Sequence, residues 1–338
     1  MGVAALLAGA CGVLGASPAA ASVPSAPQLR SPAEIREYWT AERMREAIPA
    51  EALLDGVAAP AGALPASEAG ATSVVGPAEP AARGPIEDLL GTGGSSTSNR
   101  AALIDNPRPA PLRTHGKVFF SMGLADYVCS GTVVRSEIKR LVVTAGHCVY
   151  SSSDGFATNW QFVPAYDEGQ KPFGEWTATR LATTPQWRES EDIRYDVGVA
   201  RMGKLNGKRL ERVVGARGIG FNLDPARYHA YGYPAEDPYD GEELRMCNSR
   251  TQGTDGSEGK PRPRRIDCDM TGGSSGGGWV VREKLVNSVV SYGYECGAII
   301  IVVPCPPGTN PEEGKLFGPY FGDTVKRLYR SQQRRARR

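Results

Sequence analysis

Short apolar runs separated by turn-forming residues occupy the chain from residue 117 onward. Runs of this length and composition are typical of β-strands. The sequence predicts six strands before a Gly- and Arg-rich connection and six after it: 117–122, 127–134, 141–144, 160–163, 176–181 and 197–202, then 228–233, 244–250, 265–270, 278–281, 285–292 and 316–321. Many short strands with frequent turns favour an all-β barrel or sandwich. A last segment, 323–330, has helical spacing of its apolar residues and predicts a C-terminal helix.

The first 115 residues show a different pattern. Tyr38 and Trp39 are the only aromatic residues before Phe119. This part therefore lacks the large apolar side chains that a separate core needs. The folded body is expected from about residue 116 to the end, and residues 22–115 are interpreted as a pro-region and a linker.

Two features divide this pro-region. A Ser-Pro-Ala-Glu sequence at 31–34 predicts a helix that starts with a capping box and a proline. A second helical segment, with Ile48 on its apolar face, is expected after a break at Thr40. Residues 56–100 are rich in Ala, Pro, Gly and Ser and predict a mobile linker. The helical part is either an inhibitor or folding aid of the body, or only a tether.

The N-terminus and the cysteines indicate export. Residues 3–16 form an apolar run that is too short to span a bilayer, and three alanines at 19–21 provide a cleavage position. This pattern predicts a signal peptide at 1–21 and an extracellular protein without a membrane span, although no Lys or Arg precedes Arg30. Six of the seven cysteines lie in the expected body. An even number is typical of disulfides formed in an oxidising compartment.

Charge and ligand content argue against several classes of protein. The chain has 39 basic and 37 acidic residues, and its basic residues are concentrated in the tail at 326–338. The body is therefore mildly acidic, and no nucleic-acid partner is expected. The cysteines have no CxxC spacing and the chain has 3 histidines, so no metal site and no cofactor are expected. We expect a monomer.

Three segments carry candidate chemistry. His147 follows the apolar strand 141–144 and precedes a cysteine, Asp196 opens the apolar strand 197–202, and Ser275 lies in a run of glycines. A serine hydroxyl is a poor nucleophile unless a base lies within hydrogen-bond reach and backbone amides await the developing oxyanion. Each segment alone is weak evidence, but their order along the chain makes the combination specific.

Thr144-Ala-Gly-His-Cys, the strand led by Asp196 and Gly273-Ser-Ser-Gly-Gly together resemble the chymotrypsin/trypsin-like serine peptidases, over about residues 117–329. The resemblance implies an all-β fold of two six-stranded antiparallel barrels, with the site in the cleft between them. It implies that Ser275 is the nucleophile, His147 the base and Asp196 its orienting carboxylate. The amides of Gly273 and Ser275 would form the oxyanion hole.

Details of the motifs refine this resemblance. The Gly-Gly-Ser-Ser-Gly-Gly form at 272–277 and the Gly-Tyr-Pro at 232–234 are closer to bacterial secreted, glutamyl-endopeptidase-like members than to animal trypsins. Asp192 is a rival to Asp196, but no apolar strand follows it. Ser274 stands where animal trypsins carry an Asp that binds a new N-terminus. Activation of a zymogen by such an ion pair is therefore not expected, and removal of the pro-region would relieve a block or aid folding instead.

The resemblance also implies disulfides and a specificity pocket. Cys129 is expected to pair with Cys148. The last four cysteines can be joined into two disulfides in three ways, and the favoured one is Cys247–Cys268 with Cys296–Cys305. The expected pocket contains an acidic residue six positions before the nucleophile, a strand wall and a glycine opposite: Asp269, Ser291, Tyr292, Gly293 and Gly318. Asp269 would favour Arg or Lys in the substrate. A preference for small or apolar residues, or for acidic residues, is the alternative. Val290 stands where glutamate-specific relatives have a His, which argues against an acidic preference.

The predicted organisation follows from these observations. It is a signal peptide (1–21), a pro-region and linker (22–115), a first barrel (116–203), a connection (204–227), a second barrel (228–322) and a C-terminal helix with a basic tail (323–338). The predicted function is a secreted serine endopeptidase that acts on protein or peptide substrates and whose own pro-region is a candidate inhibitor. The alternatives are a catalytically silent, peptidase-like binding module and a secreted esterase. In α/β-hydrolases the Ser precedes the Asp and His, whereas here it comes last.

Overall fold

A computed structural model describes residues 22–54, 70–77, 100–225, 227–256, 258–295, 298–299 and 314–333. The predicted signal peptide, the Cys296–Cys305 pair, most of the predicted linker and the end of the basic tail lie outside these residues. Within them, no helix is long and apolar enough to cross a membrane.

The chain is mostly β, and its strands are short. In chain order they are β1 Ser25–Pro27, β2 Ile48–Pro49, β3 Ser73–Val75, β4 Ala102–Leu103, β5 His115–Met122, β6 Ala125–Val134, β7 Leu141–Thr144, β8 Tyr150–Ser151, β9 Gly155–Phe156, β10 Thr158–Pro164, β11 Trp176–Thr183, β12 Gly198–Met202, β13 Gly218–Phe221, β14 Arg227–Gly232, β15 Arg245–Thr254, β16 Arg264–Asp267, β17 Gly278–Val281, β18 Leu285–Val289, β19 Tyr294–Glu295, β20 Ala298–Ile299 and β21 Lys315–Gly318.

The first half of the body closes into a six-stranded barrel. Its strand order is β11-β10-β5-β6-β7-β12, and pairing of β11 with β12 completes the circle. Every residue of β5 is buried, because successive side chains point to opposite faces and both faces are covered. Val118 and Phe120 belong to one apolar cluster with the first disulfide, whereas Phe119 packs in a second cluster with Trp39. The predicted first barrel is confirmed.

The second half of the body forms a sheet in the order β21-β16-β15-β14-β17-β18-β13-β3, with β4 added beside β15. All six predicted strands of this half lie in it. Its ladders do not close within the described part of the chain. The end strand β21 approaches the residues that follow β18, where Ser291 N donates to Phe317 O at 3.0 Å and Tyr292 forms an isolated bridge with Phe317.

The predicted connection at 204–227 is more structured than expected. It contains a short helix, Leu210–Val214, and strand β13, which pairs in parallel with β18. A helix at Pro185–Ser190, capped by Thr184, was not predicted. The predicted C-terminal helix is present at Asp323–Gln333. It packs against the body through an apolar stripe of Val325, Leu328 and Tyr329, all of which are buried.

The described part of the predicted pro-region packs against the body, and its buried apolar residues belong to clusters that it shares with the body. Helices span Pro32–Tyr38 and Ala41–Glu46, the first with the predicted capping box and the second capped by Thr40. Trp39 is 2% exposed, and its indole nitrogen donates to the carbonyl of Asn159 at 2.6 Å. This region has few aromatic residues, and the buried Trp39 packs against the barrel instead of a core within the region itself.

Two expectations for this region were wrong. Ile48 lies in β2, pairs with Tyr127 of β6 and is 46% exposed instead of lying on an apolar helix face. Within the predicted linker, Ser73–Val75 is a strand that pairs with β13 at Ile219. A Val-Val pair at the edge of a sheet gains backbone hydrogen bonds that a composition rich in Ala, Pro and Gly does not reveal.

The described residues contain two disulfides, and both were predicted. Cys129–Cys148 joins β6 to the turn that carries His147, with a Cα–Cα distance of 6.3 Å. Cys247–Cys268 joins β15 to the residue that follows β16, with a Cα–Cα distance of 5.7 Å. Each cross-link therefore fastens a loop next to a strand end.

Candidate active site

His147 and Asp196 meet where two neighbouring strands of the barrel end. Strands β7 and β12 are paired, with Thr144 opposite Gly198. The turn after β7 carries His147, and Asp196 follows the 3₁₀ turn Ile193–Tyr195 and lies two residues before the start of β12. The imidazole Nδ1 lies 2.8 Å from Asp196 Oδ2, and the backbone N of His147 donates to Asp196 Oδ1 at 2.8 Å. The carboxylate thus fixes both the ring and the backbone of His147.

A third donor completes the environment of Asp196. Ser291 Oγ donates to Asp196 Oδ2 at 2.6 Å. The resemblance implied Ser291 as a pocket wall, and its hydroxyl hydrogen-bonds to this carboxylate. The rival Asp192 is bonded instead to Arg194, with an Nη2–Oδ2 distance of 2.6 Å. The carboxylate partner of His147 is therefore Asp196.

Burial and charge act in opposite directions on His147, whose side chain is 1% exposed. Burial lowers the pKa of His147, because the low-dielectric surroundings disfavour the imidazolium. The carboxylates of Asp196, Glu51 and Glu191 outweigh this effect, so the pKa of His147 is raised. These carboxylates therefore favour the charged form of the His147 ring.

Ser275 lies in a glycine-rich turn that packs against the barrel. Gly273 and Gly276 have φ angles of +88° and +83°, which side chains rarely tolerate. Ser130 of β6 fastens the turn: its backbone N donates to Ser275 O at 2.7 Å, and its hydroxyl donates to Gly273 O at 3.0 Å. The barrel that carries His147 and the turn that carries Ser275 are thus in direct contact.

The side chains of Ser275 and His147 are not hydrogen-bonded to each other. Ser275 Oγ donates to the carbonyl of Ser291 at 3.3 Å. His147 Nε2 has no hydrogen-bond partner among the described residues. Ser275 is 0% exposed, so solvent does not reach it in this arrangement.

A pro-region carboxylate lies against this turn. Gly273 N donates to Glu51 Oε2 at 2.7 Å, and Ser275 N donates to Glu51 Oε1 at 3.3 Å. The two amides that the resemblance implies as an oxyanion hole therefore bind one carboxylate, one amide to each oxygen. Glu51 belongs to residues 48–54, called here the covering segment, which consists of β2 and the 3₁₀ turn Ala50–Leu54. Sequence reasoning missed Glu51, because no local motif marks it.

The remaining candidate pocket residues lie around the end of the second sheet. The hydroxyl of Tyr292 donates to Asp255 at 2.6 Å, and its ring stacks on Phe317. A Cβ at Gly318 would lie 2.4 Å from Ser288 Oγ, so this position has no room for a side chain. Gly293 is half-buried.

Asp269 is also half-buried. Its Oδ1 accepts a hydrogen bond from the backbone N of Ala101 at 2.6 Å. Burial and the nearby charge of the Asp269 carboxylate raise the pKa of Tyr239. A role of Asp269 in substrate choice stays a prediction.

Comparison with solved structures identifies the family. Protease Anisep from Arthrobacter nicotinovorans is 34% identical, and the match covers 69% of this chain and 99% of that protein with a TM-score of 0.60. A thermostable serine protease, AL20, from an extremophilic microorganism is also 34% identical, with 68% and 99% of the two chains covered and a TM-score of 0.57. The chain belongs to the chymotrypsin-like serine proteases. A Glu endopeptidase at 17% identity, covering 70% of this chain and 99% of its own, shares the fold with a TM-score of 0.53.

Other comparisons add less about this serine protease homologue. No family model matches it. A curated relative, "Extracellular metalloprotease" of Bacillus subtilis (strain 168), is 38% identical over 83 residues, which is 25% of this chain and 25% of the relative. The match thus spans about a quarter of that relative.

The relative's name raises the question of a metal site in this serine protease homologue. Among the described residues, the group with suitable ligand atoms in reach of one another is Cys129, His147 and Cys148. The two sulfurs are joined in a disulfide, and the thiolate is the form in which cysteine binds a metal. These residues do not fit a metal ion.

Proposed function

We propose that the chain is the precursor of a secreted serine endopeptidase. The observation that carries the proposal is the 2.8 Å contact between His147 Nδ1 and Asp196 Oδ2, next to the turn in which the amides of Gly273 and Ser275 face one acceptor. A base, its orienting carboxylate, a hydroxyl and two convergent donors are the parts that acyl transfer requires.

In the proposed mechanism, Ser275 Oγ attacks the carbonyl carbon of the scissile peptide while His147 Nε2 takes the hydroxyl proton. Asp196 holds the imidazole with Nε2 free as an acceptor and stabilises the imidazolium. The oxyanion accepts hydrogen bonds from the amides of Gly273 and Ser275. His147 then gives its proton to the leaving amine, and the C–N bond breaks. In the second half of the reaction, water takes the place of the amine: it gives a proton to His147 and attacks the acyl carbon, and the acyl group leaves Ser275, which regains its proton.

One observation favours the alternative of a catalytically silent binding module. Ser275 Oγ points to the carbonyl of Ser291 and does not contact His147 Nε2. In the precursor, however, the covering segment occupies the space beside Ser275, so the hydroxyl in this form is not free to take a reactive position. Labelling of the processed protein separates the two functions.

The test is covalent labelling with a fluorophosphonate, which reacts with activated serines. The processed wild type is expected to be labelled, and Ser275→Ala is not. Ser274→Ala is the matched control, because the neighbouring hydroxyl donates to Thr271 O and lies outside the proposed machinery. For peptide hydrolysis, Ser275→Ala, His147→Ala and the double variant are expected to show similar residual rates, because the groups act as a unit. Additive losses would contradict the mechanism.

Further parts of the proposal concern the organisation of the chain. We assign residues 1–21 to a signal peptide, 22–115 to a pro-region, 116–203 to the first barrel, 204–227 to the connection, 228–322 to a second barrel and 323–338 to the tail. The approach of Ser291 to Phe317 at 3.0 Å supports closure of that second barrel. N-terminal sequencing of secreted material tests both export and the start of the mature enzyme.

Substrate preference depends on the direction of the Asp269 carboxylate. If it points into the pocket, kcat/KM is expected to be higher for Arg peptides than for matched Ala, Phe and Glu peptides, since a buried carboxylate without a partner is costly. The substitution Asp269→Ser would remove that preference, while Asp267→Ser, whose carboxylate binds Gln252 instead, would keep it. An Arg preference that is absent, or that survives Asp269→Ser, would make Asp269 a structural partner of Ala101.

A further inference from the structure

The covering segment lies over the proposed nucleophile and is fixed at both ends. Ala50, directly before Glu51, packs in the barrel cluster. Leu54, at its end, packs in an apolar cluster with Trp187 and Tyr292. Ala50 and Leu54 are each 0% exposed, and Glu51 between them is 3% exposed. The Glu51 side chain is therefore held in place by apolar contacts on either side of it.

The Glu51 carboxylate matches the two convergent amides in number and in charge. One oxygen accepts from Gly273 N at 2.7 Å and the other from Ser275 N at 3.3 Å. Amides arranged for an oxyanion stabilise any negatively charged oxygen at that place, and hydrogen bonds to a charged acceptor are stronger than neutral ones. The carboxylate therefore takes up both amides, with one oxygen on each.

A carboxylate is also a group that Ser275 cannot turn over. Its carbon carries two equivalent oxygens and no amine leaving group, so attack by Ser275 leads to no peptide cleavage. The segment thus presents an unreactive side chain where a substrate would present its scissile carbonyl. A buried glutamate at this position gives inhibition without consumption of the inhibitor.

The electrostatics of the site make this arrangement dependent on pH. Burial raises the pKa of Glu51, supported by Glu236 and opposed by His147, Ser275 and the Gly273 amide. The pKa of His147 is raised as well, by Asp196, Glu51 and Glu191 against burial. A charged His147 cannot accept the Ser275 proton. Because burial raises the pKa of Glu51, association of the segment takes up protons at Glu51 and weakens as pH rises through that pKa.

We propose that Glu51 is a built-in inhibitor of the oxyanion hole: its carboxylate occupies the amides of Gly273 and Ser275 until the pro-region is removed. The inference rests on the proposed function and assigns the inhibition to one side chain. The contacts of Ala50 and Leu54 hold the segment, and the carboxylate blocks the chemistry.

The experiment compares fluorophosphonate labelling of the full-length chain in wild type, Glu51→Ala, Glu51→Gln and Glu46→Gln. Glu46 is an exposed glutamate of the same pro-region and serves as the matched control. Glu51→Gln keeps the shape of the side chain but turns an NH₂ donor toward one of the amides, so it tests the charge even if the alanine variant folds poorly. Labelling is followed in the full-length band, and processed wild type is labelled in parallel.

We expect full-length Glu51→Ala and Glu51→Gln to be labelled about 10- to 100-fold faster than wild type, which is the effect of losing a hydrogen bond to a charged group. Glu46→Gln is expected to match wild type. If the processed enzyme is labelled but the Glu51 variants react no faster than wild type, the role of Glu51 is wrong and the proposed function stands. If processed wild type is not labelled either, the proposed function itself is wrong.

Discussion

Substitution of Trp39 is expected to weaken the association of the proposed pro-region with the barrel without changing a residue of the candidate site. The substitution Trp39→Ala removes an indole that is 2% exposed and lies with its ring centroid 5.6 Å from that of Phe119. Truncation of a buried Trp costs about 3–5 kcal/mol. About 4 kcal/mol corresponds to a change of roughly 10³-fold in the equilibrium between the associated and the free pro-region.

Trp39→Phe separates packing from hydrogen bonding at the same position. It keeps an aromatic ring next to Phe119 but loses the donor to Asn159 O, which lies 2.6 Å from the indole nitrogen. The loss of one such hydrogen bond costs about 1 kcal/mol. The expected order of pro-region stability is therefore wild type, Trp39→Phe, Trp39→Ala.

Amide hydrogen exchange measures this stability directly, in a Ser275→Ala background that prevents self-processing. The reporters are the amides of Ile35 and Met44, which donate within the two pro-region helices, and the control is Tyr231 in β14. We expect protection of the two reporters to fall by about 4 kcal/mol in Trp39→Ala while Tyr231 keeps its protection. An equal fall at all three amides would refute separate association of the pro-region.

The remaining predictions concern the processed enzyme. Asp196→Asn is expected to lower kcat by about 10⁴-fold with folding retained, because the imidazole loses the carboxylate that sets its tautomer. Asp192→Asn is expected to keep the activity. The reverse result would transfer the role to Asp192. The kcat/KM is expected to rise with pH through the pKa of His147, which burial lowers and the Asp196 carboxylate raises, because the neutral ring accepts the proton; a profile flat from about pH 5 to about pH 8 would exclude a His base. Replacing Cys129 and Cys148 by Ala removes a disulfide whose cysteines are 19 residues apart. This is expected to lower the free energy of unfolding by about 3 kcal/mol and to remove much of the activity. Thermal unfolding and turnover measured together check this, and full activity at unchanged stability would contradict it.

The parts of the site that could be predicted from the sequence are those encoded in short motifs. His147, Asp196 and Ser275 each lie beside a strand or turn with its own local signature, so their positions follow from nearby residues. The first barrel follows from six apolar runs. The helix cap at Ser31 was predictable because its partner, Glu34, is three residues away.

Features that depend on distant parts of the chain could not be predicted. Glu51 reaches Gly273 across 222 residues, and nothing near Glu51 indicates that contact. Strand β3 exists because β13 offers a free edge beside it. The hydrogen bond between Ser291 and Asp196 spans 95 residues, and the resemblance pointed to Ser291 for another reason.

Ser130 has a consequence for engineering chimeras of this enzyme. Its hydroxyl accepts from Tyr233 N at 2.9 Å and donates to Gly273 O, and its backbone N binds Ser275 O. One residue of the first barrel therefore aligns two segments of the second sheet. A hybrid that joins the first half of one relative to the second half of another must preserve this three-point junction. In a hybrid without it, each half could fold correctly while Ser275 lies out of line with His147.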